Sequence, residues 1–264
     1  MGDRDYKAFI VEGEFREPQV IDNISKRFFN HGNCKLIPLP AGENIYMLWK
    51  KLEADDFETD IIEVLRESSM ELQKLLEGLS RDDFSEVFLF FDYDAHQTNL
   101  GNADGQDVLK QMLESFDNET ENGKLYVSYP MVEALRDYES NVCGNKESCF
   151  VYMNEIVNYK TDSATRSHNP HVRDYSVDTW KEIIDVFAMR VSCLWNLSNT
   201  IEYNQYLDEV TPLEIFNMEI REAERQRVFV LSAFPEFLID YFGIKLWKTS
   251  VKHIKNRIEI LNCR

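Results

Sequence analysis

Carboxylates are the residues of this chain whose type and spacing could carry chemistry. Glu12 follows the apolar run KAFIV, and the pair Asp92 and Asp94 follows the apolar run EVFLFF. If the strand continues through DYD, both aspartates point to one face and Tyr93 points to the other. Two carboxylates on one face repel each other unless a cation lies between them, and hard cations such as Mg²⁺ or Mn²⁺ prefer oxygen ligands. The pattern predicts a metal site suited to phosphoryl transfer or phosphodiester hydrolysis.

Further acids lie at the same edge of the predicted sheet and are candidates to complete this site. Glu17 and Glu133 each come at the start of a predicted helix, so each could act in catalysis or metal binding, or could instead stabilise the positive helix end. Asp104 or Asp107 could also reach the metal, whereas Glu14 is expected to face solvent. The residues alone leave open which of these carboxylates joins Glu12, and whether Glu12 binds metal or accepts a proton from water.

Alternating strands and helices must position these residues. Strands are predicted at residues 7–13, at CKLIPLP, at residues 86–94 and at KLYVSYP, with helices between them. Two helices, at about 43–53 and 57–78, form an insertion over about 43–80 that lengthens one crossover. This alternation predicts an α/β fold with a parallel sheet flanked by helices, whose ligands sit beyond the carboxyl ends of the strands.

The pattern changes after residue 160, which predicts a second structural region. Residues 1–160 are expected to form the α/β domain, and residues 161–171, rich in Ser, Thr and Asn, are the best linker candidate. From residue 176 to 264 the apolar spacing is helical with no clear strand, so a mostly helical C-terminal part is expected. Its last 22 residues form a basic tail, with six Lys and Arg against one Glu. Such a tail could track a phosphate backbone, dock on an acidic partner, or simply be a solvated helix face.

Composition limits the classes of protein that fit. The net charge of −18 disfavours direct nucleic-acid binding, so the basic tail or a partner would have to bring a polyanion to the acids. There is no run of about 18 apolar residues and no signal-peptide pattern, so we expect a soluble, cytoplasmic protein without membrane contact. Five cysteines without CxxC spacing argue against a disulfide framework and a structural zinc site. Cys143 and Cys149 flank a short loop, for which chance is the better explanation.

The segments IVEGEFREP and FLFFDYD, in this order and each at the end of a predicted strand, resemble the Toprim domain. The finer resemblance is to Toprim nucleases of the RloB and overcoming-lysogenization-defect (OLD) type. Their opening pattern, close to EGExxEP, is matched by Glu12, Gly13, Glu14, Glu17 and Pro18, and YPMVEAL supplies Glu133 in the position of their later helix-starting Glu. The resemblance covers about residues 7–140. After DYD the chain departs from the family pattern, because AHQTNLGNADG replaces a simple third acidic position.

The resemblance implies a Toprim-like sheet in which Glu12, Asp92 and Asp94 bind Mg²⁺, with Glu17 and Glu133 as further members of the site. It implies a metal-dependent endonuclease that cleaves DNA or RNA, transfer RNA included, as the toxic effector of a bacterial antiphage, abortive-infection system. Such effectors work beside an ABC-type ATPase sensor and form homo- or hetero-oligomers. The alternative is a non-catalytic Toprim-like interaction subunit of a defence complex. A primase or a small-phosphate hydrolase ranks lower, because primases need more basic surface than this chain has.

Overall fold

A mostly parallel sheet organises the amino-terminal half of the chain. The computed structural model describes residues 5–29, 34–42, 45–54, 56–93, 105–138, 149–167, 169 and 171–252. The chain divides into two units, the first formed by residues 1–91 and 96–125 and the second by residues 92–95 and 126–264. The elements of the sheet region are β1 (Asp5–Val11), α1 (Arg16–Phe28), β2 (Cys34–Pro40), α2 (Ile45–Glu53), α3 (Ile61–Ser68), α4 (Met70–Leu75), β3 (Phe84–Asp92), α5 (Gly105–Ser115), β4 (Asp117–Asn118) and β5 (Gly123–Ser128).

The sheet has the strand order β2-β1-β3-β5-β4. Strand β1 pairs in parallel with both β2 and β3, and β4 pairs antiparallel with β5. The predicted class, an α/β fold with a mostly parallel sheet flanked by helices, is therefore confirmed.

The central strands form because their sequences are almost entirely apolar and can be buried on both faces. Phe9 of β1 stacks on Phe90 of β3, with ring centroids 5.6 Å apart and planes 4° apart. Helix α1 follows β1 and buries Val20, Ile21 and Ile24, the apolar positions whose helical spacing predicted it. A continuous apolar run in a parallel strand is thus explained by helices covering the sheet.

The helical insertion between β2 and β3 is more broken than the sequence predicted. Instead of one helix over residues 57–78, the structure has α3 and α4, separated by Ser69 in an extended conformation with φ −152° and ψ 155°. The Ser69 side chain accepts a hydrogen bond from the Leu72 backbone N–H and so caps α4. Asp60 caps α3 in the same way, accepting from the backbone of Ile62. The prediction of a single helix was wrong because Ser69 restarts the helix at its own cap.

The second unit is mostly helical and contains a short β-ribbon. Its elements are a 3₁₀ helix (Val132–Arg136), β6 (Phe150–Tyr152), α6 (Ile156–Arg166), α7 (Val177–Leu194), α8 (Tyr203–Glu209), α9 (Pro212–Ala223), β7 (Arg227–Phe229) and α10 (Ala233–Ser250). Strands β6 and β7 pair antiparallel, and an isolated bridge joins Tyr129 to Leu231. The expectation that no strand follows residue 176 was wrong, because three residues are too few to show the alternation of a strand.

Other sequence expectations for this unit are met in part. Residues 161–166, predicted to be a linker, are the end of α6. Helix α10 ends at Ser250 with Lys245 and Lys248 exposed and Trp247 buried, which agrees with a basic helix face, while Lys255 lies outside the described residues. Within the described ranges, no helix combines the length and apolar character needed to cross a membrane.

Candidate functional site

The strand order places a topological switch point between β1 and β3. After β1 the chain goes to β2 on one side, and it then enters β3 on the other side of β1. In such sheets the crevice that receives ligands lies outside the carboxyl ends of the two strands at the switch point. Val11, the last residue of β1, is in register with Phe90 of β3. Glu12 is the residue that follows this pair on β1, and Asp92 is the last residue of β3.

The turn after Glu12 is held by the side chain of Glu17. Glu12 itself is half-buried, and the next residue, Gly13, donates its backbone N–H to Oε1 of Glu17 at 3.0 Å. The Glu17 side chain is buried and lies in the first turn of α1, where a carboxylate also favours the helix dipole. A Cβ atom on Gly13 would lie only 2.6 and 2.8 Å from the Glu17 carboxylate oxygens. Gly13 and Glu17 therefore form one local unit, and Glu14 beside them is exposed, as expected.

At the end of β3, Asp92 and Tyr93 differ in burial, as expected if successive side chains point to opposite faces of the sheet. Tyr93 is buried, with its ring centroid 5.1 Å from that of Tyr129, and its backbone N–H donates to the carbonyl of Ser128 at 2.9 Å. Asp92, one residue earlier, is half-buried. Asp94 lies outside the described residues, so its orientation stays a prediction.

Of the remaining acids, Glu133 has the most defined surroundings. It lies in the short 3₁₀ helix Val132–Arg136, where its side chain is buried and its Oε1 is 3.6 Å from Nζ of Lys160. The Lys160 side chain is 71% exposed, so this ion pair is open to solvent on the lysine side. Asp107 is exposed in the first turn of α5, and Asp104 falls outside the described part of the chain.

A buried charge network around Asp137 was not anticipated from the sequence. Its Oδ2 accepts from Tyr159 Oη at 3.0 Å and from Arg166 at 2.8 Å, while Arg190 donates to its backbone carbonyl at 2.6 Å. Burial alone would raise the pKa of this carboxyl, but the charges of Arg190 and Arg166 outweigh burial and hold the pKa below its ordinary value. The partners are 22 to 53 residues away in sequence, so no local spacing signals the network.

A second unanticipated acid, Glu219 on α9, has a pKa that its surroundings raise. Burial raises the pKa of Glu219 well above its ordinary value, the charge of Glu222 acts in the same direction, and the hydrogen bond from the Phe229 backbone N–H opposes both. Glu222, by contrast, is paired with Arg225 at 2.6 Å and with Arg227. Both acids serve the packing of α9 against β7, which is a structural role.

Two of the predicted metal ligands, Glu12 and Asp92, lie within the described part of the chain. Among the described residues, which do not include Asp94, there is no group of three or more His, Cys, Asp or Glu that could hold a metal ion. Glu12 and Asp92 supply carboxylate oxygens, the donors that Mg²⁺ takes, and Mg²⁺ commonly binds to one or two protein carboxylates with water and phosphate as its other ligands. Binding of Mg²⁺ or Mn²⁺ by Glu12, Asp92 and Asp94 therefore stays a prediction from the sequence.

Comparisons with known proteins add no identification. No protein-family model matches the chain, and no match was found among curated proteins or among solved structures.

Proposed function

We propose that this chain is a Mg²⁺-dependent nuclease of the Toprim type, in which Glu12, Asp92 and Asp94 form the metal site. The observation that supports it best is the position of Glu12 and Asp92 at the carboxyl ends of β1 and β3, the strands on either side of the switch point. General rules for open parallel sheets locate ligand sites at this crevice, independently of any motif. The EGExxEP and DYD segments resemble the Toprim pattern, and the register of β1 and β3 gives that resemblance a structural context.

In this proposal each acid has a separate role. Asp92 and Asp94 would hold Mg²⁺ or Mn²⁺, and Glu12 would either complete the ligand set or accept a proton from the attacking water. When bound, the metal would lower the pKa of that water and offset the charge that develops on the phosphate. Glu133 would be a further catalytic residue.

Glu17 was predicted to be a metal ligand, and we now assign it a supporting role within the proposed site. Its carboxylate accepts the backbone N–H of Gly13, so it fixes the turn that follows Glu12. The Glu17→Gln variant separates the two roles, since the amide oxygen of Gln can still accept this hydrogen bond but is a poor Mg²⁺ ligand. Nuclease activity that is retained in Glu17→Gln would favour the role of Glu17 in fixing the turn. A loss of activity that excess Mg²⁺ restores would favour direct coordination of the metal by Glu17.

The substrate class follows from phosphodiester chemistry, and the biological setting follows from the resemblance. DNA and RNA, transfer RNA included, present the same phosphodiester to the same metal. With a net charge of −18, the chain needs a local source of positive charge to hold a polyanion, and the exposed Lys245 and Lys248 of α10 are one such source. A partner would be another, and the resemblance names an ABC-type ATPase of an antiphage system, with this chain as the toxic effector.

The deciding experiment compares the wild type with Asp92→Asn and Glu12→Gln in cells, with the cellular DNA and RNA sequenced for new ends. The matched control is Glu14→Gln, an exposed carboxylate in the same turn. We expect new ends with the wild type and the control, and a loss of roughly 100-fold or more in both site variants. Cleavage by the purified wild type should also require Mg²⁺ or Mn²⁺ and stop with EDTA. Cleavage that survives Asp92→Asn at the wild-type rate would remove the basis of the proposal.

A second candidate is a non-catalytic interaction subunit of a defence complex. The observation that favours it is that two of the predicted acids are engaged within the protein, Glu133 by Lys160 and Glu17 by Gly13. In that case no variant would change the pattern of nucleic-acid ends, and wild-type chain bound to its ATPase partner would be as inactive as Asp92→Asn in the same complex.

A further inference from the structure

Two cysteines from distant parts of the sequence meet in the second unit. The Sγ atoms of Cys149 and Cys193 are 3.4 Å apart, although the residues are 44 positions apart in the chain. Cys149 immediately precedes β6, and Cys193 lies in the last turn of α7. A disulfide bond has an S–S length of about 2.05 Å, so the sulfur atoms need to approach by only about 1.4 Å to form one.

Both cysteines are fixed by backbone hydrogen bonds, so their proximity does not depend on a loose loop. The carbonyl of Cys149 accepts from the Val230 N–H at 2.8 Å, beside the pairing of β6 with β7. The carbonyl of Cys193 accepts from the Asn196 N–H at 3.0 Å at the end of α7. Cys149 is buried, whereas Cys193 is half-buried and can be reached from solvent.

We propose that Cys149 and Cys193 are a redox-sensitive pair that peroxides convert to a disulfide and thiols restore. The half-buried Cys193 reacts first as its thiolate: its sulfur bonds to one peroxide oxygen, the O–O bond breaks, and the departing hydroxide takes up a proton as water. The Cys149 thiol loses its proton, and its thiolate attacks the sulfenic sulfur. The S–O bond breaks, and the departing hydroxide takes up that proton as a second water. Overall, two thiols and one hydrogen peroxide give one disulfide and two waters, with both sulfurs oxidised and the peroxide reduced.

The buried partner explains why this pair would form a disulfide and not a higher oxide. A sulfenic acid with a second thiol in contact condenses with it, and so escapes further, irreversible oxidation. In a reducing cytoplasm such bonds are transient and act as sensors. Cys34 lies on β2, and burial raises the pKa of its thiol, which lowers the fraction of reactive thiolate at neutral pH. This inference does not depend on the proposed nuclease activity.

The test uses the full chain, reduced and then treated with stoichiometric hydrogen peroxide. Unreacted thiols are alkylated, the protein is digested without reductant, and the crosslinked peptides are identified by mass spectrometry. We expect a Cys149–Cys193 peptide, two hydrogens lighter than its parts, to exceed every pair that includes Cys34, Cys143 or Cys263. A bond that closes a loop of this length should also raise the melting temperature by about 5 °C or more, and dithiothreitol should reverse the shift.

The control variants separate this pair from general thiol oxidation. Cys34→Ser should keep both the crosslink and the melting shift, and Cys193→Ser should lose both. Because the crosslink is mapped in the wild type, the test holds even if a variant folds poorly. Crosslinks spread evenly over the five cysteines, a dominant Cys143–Cys149 peptide, or Cys193 found mainly as sulfinic acid would each overturn the proposal.

Discussion

The turn after Glu12 offers a sharp test of how the candidate site is built, through the substitution Gly13→Ala. A Cβ atom there would lie 2.6 Å from Oε2 of Glu17 and 2.8 Å from Oε1. These atoms are the far end of a flexible side chain, so the Glu17 carboxylate can rotate away and relieve the clash. The lasting cost is then the hydrogen bond from the Gly13 N–H to Glu17, and not steric strain.

The expected magnitude follows from that bond. A hydrogen bond to a charged acceptor contributes about 1.5 to 3 kcal/mol, so Gly13→Ala should lower the free energy of unfolding by about 2 kcal/mol. In a Glu17→Ala background the clash and the hydrogen bond are both absent. The backbone of Gly13 is not in the left-handed region, so the added methyl should there be neutral or stabilise by up to about 1 kcal/mol. The two substitutions should therefore be coupled by about 2 kcal/mol or more.

The assay is a double-mutant cycle on the wild type, Gly13→Ala, Glu17→Ala and the double variant, with urea unfolding followed by circular dichroism. Substitutions at independent sites add to within about 0.5 kcal/mol. Additivity at this level would refute the assignment of Gly13 and Glu17 as one unit. Glu14→Ala, an exposed neighbour, is the control and should add independently to Gly13→Ala.

Three further substitutions test other parts of the structure. Glu219 has a raised pKa, so the native state keeps a proton that the unfolded state loses above about pH 4.5. The contribution of Glu219 to the stability of the wild type then falls as pH rises, by up to about 1.4 kcal/mol per pH unit, and Glu219→Gln should gain on the wild type as pH rises above about 5. Asp137 has a lowered pKa in the native state, so its carboxylate stabilises the fold above about pH 4, and this stabilisation is lost as pH falls through the native-state pKa. Asp137→Asn should therefore lower the free energy of unfolding by about 2 kcal/mol at pH 7 and by less at pH 3. Gly123 has φ +114°, and an added Cβ would lie 2.6 Å from a methyl of Leu89, so Gly123→Ala should cost about 2 kcal/mol.

Urea unfolding over a pH series measures all three effects, each against a nearby exposed control. Glu224→Gln is the control for Glu219, and Asp162→Asn is the control for Asp137; neither should change the pH profile. If the free energy of unfolding of Glu219→Gln changed with pH in parallel with that of the wild type, the raised pKa of Glu219 would be contradicted. Gly78 also has a positive φ, but no atom lies within 4 Å of the position of an added Cβ. Gly78→Ala therefore measures the free energy cost of the backbone conformation without the steric contact that is present at Gly123.

The sequence was sufficient to predict the central strands and the helix after the first of them. The runs KAFIV and EVFLFF are short, mostly apolar and followed by acids, a pattern typical of buried strands in a parallel sheet, and they are found in β1 and β3. For the same reason the positions of Glu12 and Asp92 at strand ends were predictable. Their arrangement around a metal depends on Asp94, which lies outside the described residues.

What the sequence did not reveal depends on contacts between distant residues. Ser69 is compatible with a helix interior as well as with a cap, and only packing decides between them. Strand β7 is too short for a periodic signal and forms because β6 offers a pairing partner. The proximity of Cys149 and Cys193, which are 44 positions apart, likewise depends on the tertiary fold of the second unit, and no local spacing encodes it.

The bridge between Tyr129 and Leu231 has a consequence for how the protein is made. The pairs of β1 with β2 and β3, and of β4 with β5, are all complete once residue 128 has been synthesised. By contrast, the hydrogen bonds of Tyr129 with Leu231 and of Cys149 with Val230 wait for about a hundred more residues to leave the ribosome. Nascent chains arrested once residue 128 has left the ribosome should therefore already protect the sheet from proteolysis, while the region from Tyr129 onward stays sensitive until residues 227–231 emerge.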